Sequence, residues 1–241
     1  MKPVIIVPCF NHADAFASVA VKLADFKQPV IVVDDGSTQK QSEKIKQICK
    51  THSFFYVKNK VNGGKGAAMI HGFKFAFKNG FSHALQIDSD GQHNILDIPL
   101  FLKTSARHPD DLIIGNPIYD ESAPKSRLIG RKITKFWVMV ETFNKHMPDT
   151  MCGFRVYPLD PIMPILKTIK SKRMAFDIEI IIKAYRRGVN IISVPTRVIY
   201  PNDGVSHFHA FRDSFYISLL HVYLCCLIPF WLINKCFRGE K

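Results

Sequence analysis

An α/β fold with a mostly parallel sheet flanked by helices is what this sequence predicts, and two patterns predict it. Short apolar runs at residues 4–7, 30–33 and 85–87 each stop abruptly at polar residues, the mark of buried parallel strands with functional carboxyl ends. Helical stretches separate them, so strand and helix alternate along the chain. In an open sheet of this kind, ligands gather beyond the carboxyl ends of the strands, near the point where strand order reverses.

The first strand, Val4-Ile5-Ile6-Val7, stops at Pro8-Cys9-Phe10-Asn11, and a helix follows over 13–26. The β-branched run 30–33 stops at Asp34-Asp35-Gly36-Ser37-Thr38, before a helix over 40–52 and a strand over 54–57. Next comes Asn62-Gly63-Gly64-Lys65-Gly66 ahead of a helix that runs to about Lys78 and closes at Asn79-Gly80. Glycines beside a lysine at a helix start suit an anion, and equally suit a flexible connection. No Gly-x-x-x-x-Gly-Lys-Ser/Thr loop is present.

Leu85-Gln86-Ile87 then delivers Asp88-Ser89-Asp90-Gly91-Gln92-His93. Extended residues at i and i+2 point the same way, so Asp88 and Asp90 can converge on a hard cation such as Mg or Mn that carries a diphosphate. An acidic turn after a strand is the plainer reading of three residues. Three polar strand ends in one sheet favour the metal.

Beyond a strand at 111–115, the polar loop 120–126 leads into Arg127, Arg131, Lys132 and Lys135. It is expected either to form a mobile lid that presents cations to an anion or to begin a solvated helix face. Asp177 and Glu179 open a later helix, as a general base or as ordinary dipole-stabilising acids. Prolines around 116–124, 147–164 and 194–201 predict loops and irregular turns.

With 47% hydrophobic residues, the 241-residue chain can bury one large α/β core and a small appendage. The expected division is a catalytic unit over 1–208 and an apolar helical tail over 209–241. Lys and Arg total 33 against 20 Asp and Glu, a net charge of +13 that points to anionic partners. A nucleic-acid motif is lacking, and a nucleotide diphosphate, a lipid phosphate and an acidic membrane surface account for the charge. The six cysteines have no metal-ligand spacing and are expected to be reduced thiols. The first strand begins so near Met1 that no signal peptide is expected.

Residues 214–234 contain no Asp, Glu, Lys or Arg and, as one helix, would extend roughly 30 Å, about a bilayer core. A single span would carry Lys235, Arg238 and Lys241 to the far side, against the positive-inside tendency. Docking in the interface through Phe215, Tyr216, Tyr223, Phe230 and Trp231 is therefore expected, with a C-terminal span as the alternative and a helix packed on the domain as the plainest reading.

The order Val-Val-Asp-Asp-Gly-Ser, Asn-Gly-Gly-Lys-Gly, Asp-Ser-Asp-Gly-Gln-His and Asp149-Thr150-Met151-Cys152-Gly153-Phe154-Arg155 resembles the family 2 glycosyltransferases, most of all the dolichol- and polyprenol-phosphate sugar transferases. The resemblance implies a GT-A fold, a UDP- or GDP-sugar donor, a divalent metal and inversion at the sugar carbon. It implies Pro8, Asn11 and Asp35 around the base and ribose with Asp34 beside them, and Lys65 near the donor phosphates. Asp88 and Asp90 match the family's metal pair, and Gln92 matches a further ligand of the polyprenol branch. Gly153 and Arg155 match an element near the donor sugar and acceptor phosphate. Ser206 and His207 match a phosphate-binding Gly-x-Ser-Lys, with His207 in place of the lysine. Asn116 stands where relatives often have an arginine.

The function expected from these residues is inverting transfer of a sugar to a polyprenyl phosphate or other lipid-linked acceptor at the cytoplasmic face of a membrane. A lipid phosphate is already an anion and needs positioning, in part by Arg127, Arg131 and Arg155; a saccharide hydroxyl, the alternative acceptor, needs a base such as Asp177 or Glu179. A sugar nucleotidyltransferase and an inactive nucleotide-binding homologue are the remaining readings. The first normally has a glycine-rich loop with arginine where this chain has Pro8-Cys9-Phe10-Asn11-His12.

Overall fold

A computed structural model describes residues 1–119, 125–198 and 210–237. β1 (Pro3–Cys9), β2 (Val30–Asp34) and β3 (Phe55–Lys58) run parallel, joined by α1 (Ala13–Ala24) and α2 (Gln39–Thr51). α3 (Lys65–Lys78) then returns the chain to β4 (His83–Gln86), on the opposite side of β1. α4 (Ile98–Arg107), β5 (Leu112–Tyr119), α5 (Lys125–Thr142), β6 (Arg155–Pro158), α6 (Leu159–Leu166), α7 (Phe176–Arg186) and β7 (Ile191–Val198) complete the α/β unit. Among the described residues seven strands lie in the order β3-β2-β1-β4-β6-β5-β7, and of these only β6 is antiparallel to its neighbours. Strand order reverses between β1 and β4, which puts the switch point beside Asp88.

Burial follows position in the sheet. Every residue of β2, β4 and β6 is buried, as central strands covered on both faces require, while the edge strand β7 alternates along its second half. Gly72 lets α3 close on this sheet: a Cβ there would come within 2.7 Å of Ile6 Cγ2.

All three stretches expected as proline-rich loops are partly regular structure among the described residues. β5 continues to Tyr119 and pairs along its whole length with β7, which runs through Pro195. β6 pairs with β5 only at Ile113 and Ile114, so Pro117 lies where β5 has a single partner, and Pro195 lies on an edge, positions where a missing N–H is tolerated. In 147–164 the chain forms β6 and α6, with Pro158 at the join and Pro161 in the first helical turn.

The apolar tail is two helices rather than one. α8 (Ala210–Cys226) and α9 (Ile228–Phe237) meet at a 41° bend. Pro229 accounts for it, since its ring and missing N–H disrupt the preceding turn. Among the described residues no single helix is long and apolar enough to cross a membrane; the bent pair passes that test together. α8 packs on α5, and its Ile217, Leu220 and Leu224 are buried. The His221 ring lies 2.8 Å from Glu141 of α5, and Arg186 at the end of α7 donates to the carbonyls of Glu141 and Leu224.

Candidate active site

Loops at the carboxyl ends of β1, β2 and β4 converge beside the switch point. Asn11 adopts φ 52°, takes a hydrogen bond from the Thr38 amide, and donates its own amide to Ser37 Oγ, tying the β1 loop to the β2 loop. Pro8, partly buried, precedes it in the β1 ladder opposite Val33. Asp34, expected beside the nucleotide, is buried and fully engaged: it accepts from the Ser37 amide at 2.9 Å, Tyr56 Oη at 2.7 Å and Ser42 Oγ. Burial alone would raise its pKa, but the Ser37, Ser42 and Tyr56 hydrogen bonds outweigh burial and lower it. It shapes the turn into α2.

Asp35 organises the glycine loop. It accepts from Asn59 Nδ2, Asn62 Nδ2 and the amides of Gly63 and Gly64, which fixes the start of α3. Gly64 has φ 90°, a conformation that needs glycine, and leaves no room for a Cβ against Arg173 and the Lys172 carbonyl. The result aims Lys65, the first residue of α3, into the site.

The Lys65 ammonium stands 2.9 Å from the Asp88 carboxylate and 2.8 Å from Asp177 Oδ2. Burial works against its charge, but Asp177 and Asp88 together raise its pKa. Asp88 is lowered in return: burial would raise it, yet Lys65, with His93 beyond it, prevails. His93 Nε2 lies 3.7 Å from Asp88 Oδ2. Asp90 is raised, by burial first and then by the negative charge of Asp88, and it accepts the Gln92 amide at 3.0 Å. The two aspartates are thus close enough to feel one another.

β6 closes the far wall. Gly153 is there because a Cβ would sit 2.3 Å from Asp88 Oδ2 and 2.9 Å from Lys65 Nζ. Arg155, expected to face a phosphate, is instead fully buried. Its guanidinium donates to the carbonyls of Cys152, Thr150 and Asp177 and to Tyr157 Oη, and lies 3.4 Å from Asp177 Oδ1. Tyr157 Oη donates in turn to Gln86 of β4. Four donors of its fixed fork are held by the protein itself, so Arg155 braces the wall and Asp177.

The two candidate bases part company. Asp177 lies in the site, held by Lys65 and Arg155. Glu179 is fully buried elsewhere: it accepts the amides of Lys170 and Ser171 and pairs with Lys183 at 2.6 Å, so it organises the approach to α7. Arg131, on α5, pairs with Asp149 of the β6 approach, which Tyr119 Oη also reaches at 3.2 Å. The Arg127 side chain, residues 120–124 of the expected lid, Ser206 and His207 lie outside the described residues. The pairing of Lys65 with Asp177 and the burial of Arg155 by Gln86 and Tyr157 were not legible in sequence; Gln86 inside an apolar strand was the one available sign of a buried polar network.

Among the described residues, no three His, Cys, Asp or Glu side chains form a ready cage for a metal ion. A hard cation that keeps waters and substrate phosphates needs only one or two carboxylates. Asp88 and Asp90 meet that need, and Asp88 Oδ1 is buried without a directed hydrogen bond although Lys65 is near. The residues fit Mg or Mn. Thiol chemistry does not fit, because burial pushes Cys9 up to about 12 and Cys152 up to about 11.

Residues 4–164 match the sequence profile of glycosyl transferase family 2. The chain belongs to that family. This family 2 glycosyltransferase is 24% identical over 213 residues to a UDP-N-acetylglucosamine–dolichyl-phosphate N-acetylglucosaminyltransferase of Methanococcus voltae, covering 81% of this chain and 85% of the relative. It is 24% identical over 206 residues to an undecaprenyl-phosphate mannosyltransferase of Micrococcus luteus, covering 81% and 82%. In three dimensions it is similar to glucosyl-3-phosphoglycerate synthase from Mycobacterium tuberculosis in complex with Mn2+, UDP and glucosyl-3-phosphoglycerate. That likeness has a TM-score of 0.67 at 14% identity, over 93% of this chain and 80% of that one. The glycosyltransferase therefore has the GT-A fold.

Proposed function

We propose that this glycosyltransferase moves a sugar, with inversion, from a UDP- or GDP-sugar to a polyprenyl phosphate at a membrane surface, using Mg or Mn. The observation that carries the reading is the pair Asp88 and Asp90 at the switch point with the buried Lys65 ammonium between Asp88 and Asp177. Asp88, Asp90 and Gln92 would hold the metal, which supplies positive charge where the leaving diphosphate becomes more negative. Lys65 adds a fixed cation at the same place. An acceptor phosphate oxygen attacks the anomeric carbon as the bond to the donor diphosphate breaks. The nucleoside diphosphate leaves with the bonding electrons, and no proton has to be removed.

Asp177 supports the phosphate acceptor over the saccharide alternative. A hydroxyl acceptor needs a free base, whereas Asp177 is pinned by one ammonium and one guanidinium, and Glu179 is tied to backbone amides. Two relatives named for dolichyl- and undecaprenyl-phosphate transfer support the same choice. They differ in the sugar their names carry, so the sugar is not inherited from them. Family membership favours sugar transfer over nucleotidyl transfer.

We assign catalysis to residues 1–208 and membrane contact to 209–241 together with α5. That helix exposes Ile129, Ile133, Phe136 and Trp137, with Lys132 and Lys135 interleaved. Trp137 stacks on His221 of α8, and Phe143 stacks on Trp231 of α9, so α5, α8 and α9 share one apolar face. Such a face, rimmed by cations, suits an anionic lipid interface at the cytoplasmic side, where nucleotide sugars are found. The test is a donor screen with Mn2+ by thermal unfolding, followed by incubation of the stabilising labelled donor with polyprenyl phosphate. A lipid-extractable product is expected; no stabilisation by any nucleotide sugar would overturn the reading.

A further inference from the structure

We propose that Lys65 is an exchangeable internal cation: it bridges Asp88 and Asp177 before the donor binds, and gives up Asp88 when metal and diphosphate arrive together. The inference rests on the metal-diphosphate reading of this site. The three side chains are enclosed, with Lys65 13%, Asp88 24% and Asp177 7% exposed, so their charges meet with little solvent between them. Gly153 closes the site so tightly that even a methyl group would collide with both Asp88 and Lys65. An ammonium and a divalent ion cannot both sit against the same carboxylate there without strong repulsion.

The two ends of the bridge are not equivalent. Asp177 is anchored independently, by Arg155 at 3.4 Å and by Gln86 Nε2 at 3.5 Å. It keeps its partners when Lys65 turns. Among the described residues Asp88 has only His93 besides Lys65, and its Oδ1 accepts no directed hydrogen bond from them. Lys65 therefore has a fixed end at Asp177 and a releasable end at Asp88. Its flexible stem starts at the first residue of α3, where the backbone amides favour an anion, so the donor diphosphate is a natural new partner. The consequence is an order: the donor-free protein resists the metal, and the nucleotide brings it in.

Mn2+ binding, followed by the EPR signal of free Mn2+, tests this without recourse to activity. Wild type is compared with Lys65→Met, and with Lys170→Met as a control that removes a charge lying over Tyr223 instead. Without nucleotide, Lys65→Met should bind Mn2+ about tenfold tighter or more, while Lys170→Met matches wild type. UDP should strengthen Mn2+ binding in wild type and much less in Lys65→Met. Equal or weaker nucleotide-free binding in Lys65→Met, with wild type still binding Mn2+ in the presence of UDP, overturns the exchange and leaves the functional reading standing. Absence of Mn2+ binding to wild type even with UDP or GDP overturns both. Should Lys65→Met fail to fold, Lys65→Gln, whose amide still donates to Asp88, carries the same comparison with the same outcomes.

Discussion

Arg155 Nη1 lies 3.4 Å from Asp177 Oδ1 and donates to the Asp177 carbonyl at 2.9 Å, inside a wall from which solvent is excluded. The arginine thus holds the acid that faces Lys65, and its contribution to the site runs through Asp177. Arg155→Ala should destabilise the fold by about 3–5 kcal/mol, since it leaves Asp177 and three carbonyls without their donor. Urea and thermal melts read this directly. A variant that melts like wild type but has lost acceptor affinity would return Arg155 to the acceptor site.

Asp90→Asn should leave the melt almost unchanged while lowering metal-dependent donor binding and transfer by about a hundredfold or more. Burial first, and then the charge of Asp88, raise the pKa of Asp90, so removing its charge should not harm the fold. Full transfer by Asp90→Asn, or by wild type in chelator, contradicts the metal assignment.

Two buried glutamates should respond to pH with opposite sign. Burial would raise Glu179, but Lys183 and the Ser171 and Lys170 amides prevail and lower it, so its stabilisation is present above its unfolded pKa and lost as pH falls through the lower folded value. Glu179→Gln should therefore melt well below wild type at neutral pH, with the gap closing in acid, and should retain transfer. Burial raises Glu141 despite His221, so charging it costs stability as pH rises through its folded pKa. Glu141→Gln should melt higher than wild type at neutral pH, by roughly 2–4 °C per kcal/mol recovered, and the gain should vanish below the ordinary carboxylate range. Melts of both variants from about pH 2 to 8 read this; shifts of the same sign for the two variants at neutral pH would contradict it.

The apolar face offers a depth measurement, because the chain has two tryptophans, Trp137 on α5 and Trp231 on α9. Both should be quenched by brominated lipid in anionic vesicles, and Phe136→Glu should weaken vesicle binding about tenfold. Quenching of Trp231 alone would confine membrane contact to the tail.

Much of the fold was legible because its signals are local. Strands at 4–7 and 30–33, their polar ends, and the glycine loop before α3 follow from composition over a few residues. β7 and the far half of β5 were hidden because edge pairing overrides the loop preference of Pro117 and Pro195, which only register reveals. At the site, the spacing of Asp88 and Asp90 and the glycine loop that carries Lys65 were visible as local patterns. That Ser42 and Tyr56 engage the Asp34 carboxylate, and that Thr150 and Cys152 engage the Arg155 guanidinium, could not be read from sequence, because these partners meet only in the fold.

The acceptor proposed for this glycosyltransferase is an anionic lipid phosphate. Its most direct measurement is transfer from one labelled nucleotide sugar, with Mn2+, to polyprenyl phosphate and to a neutral saccharide side by side, in wild type and in Glu179→Gln. Product on the lipid phosphate in both proteins and none on the saccharide is the predicted result. Product on the saccharide alone, lost in Glu179→Gln beyond what its lower stability explains, would contradict the account and make the acceptor a hydroxyl.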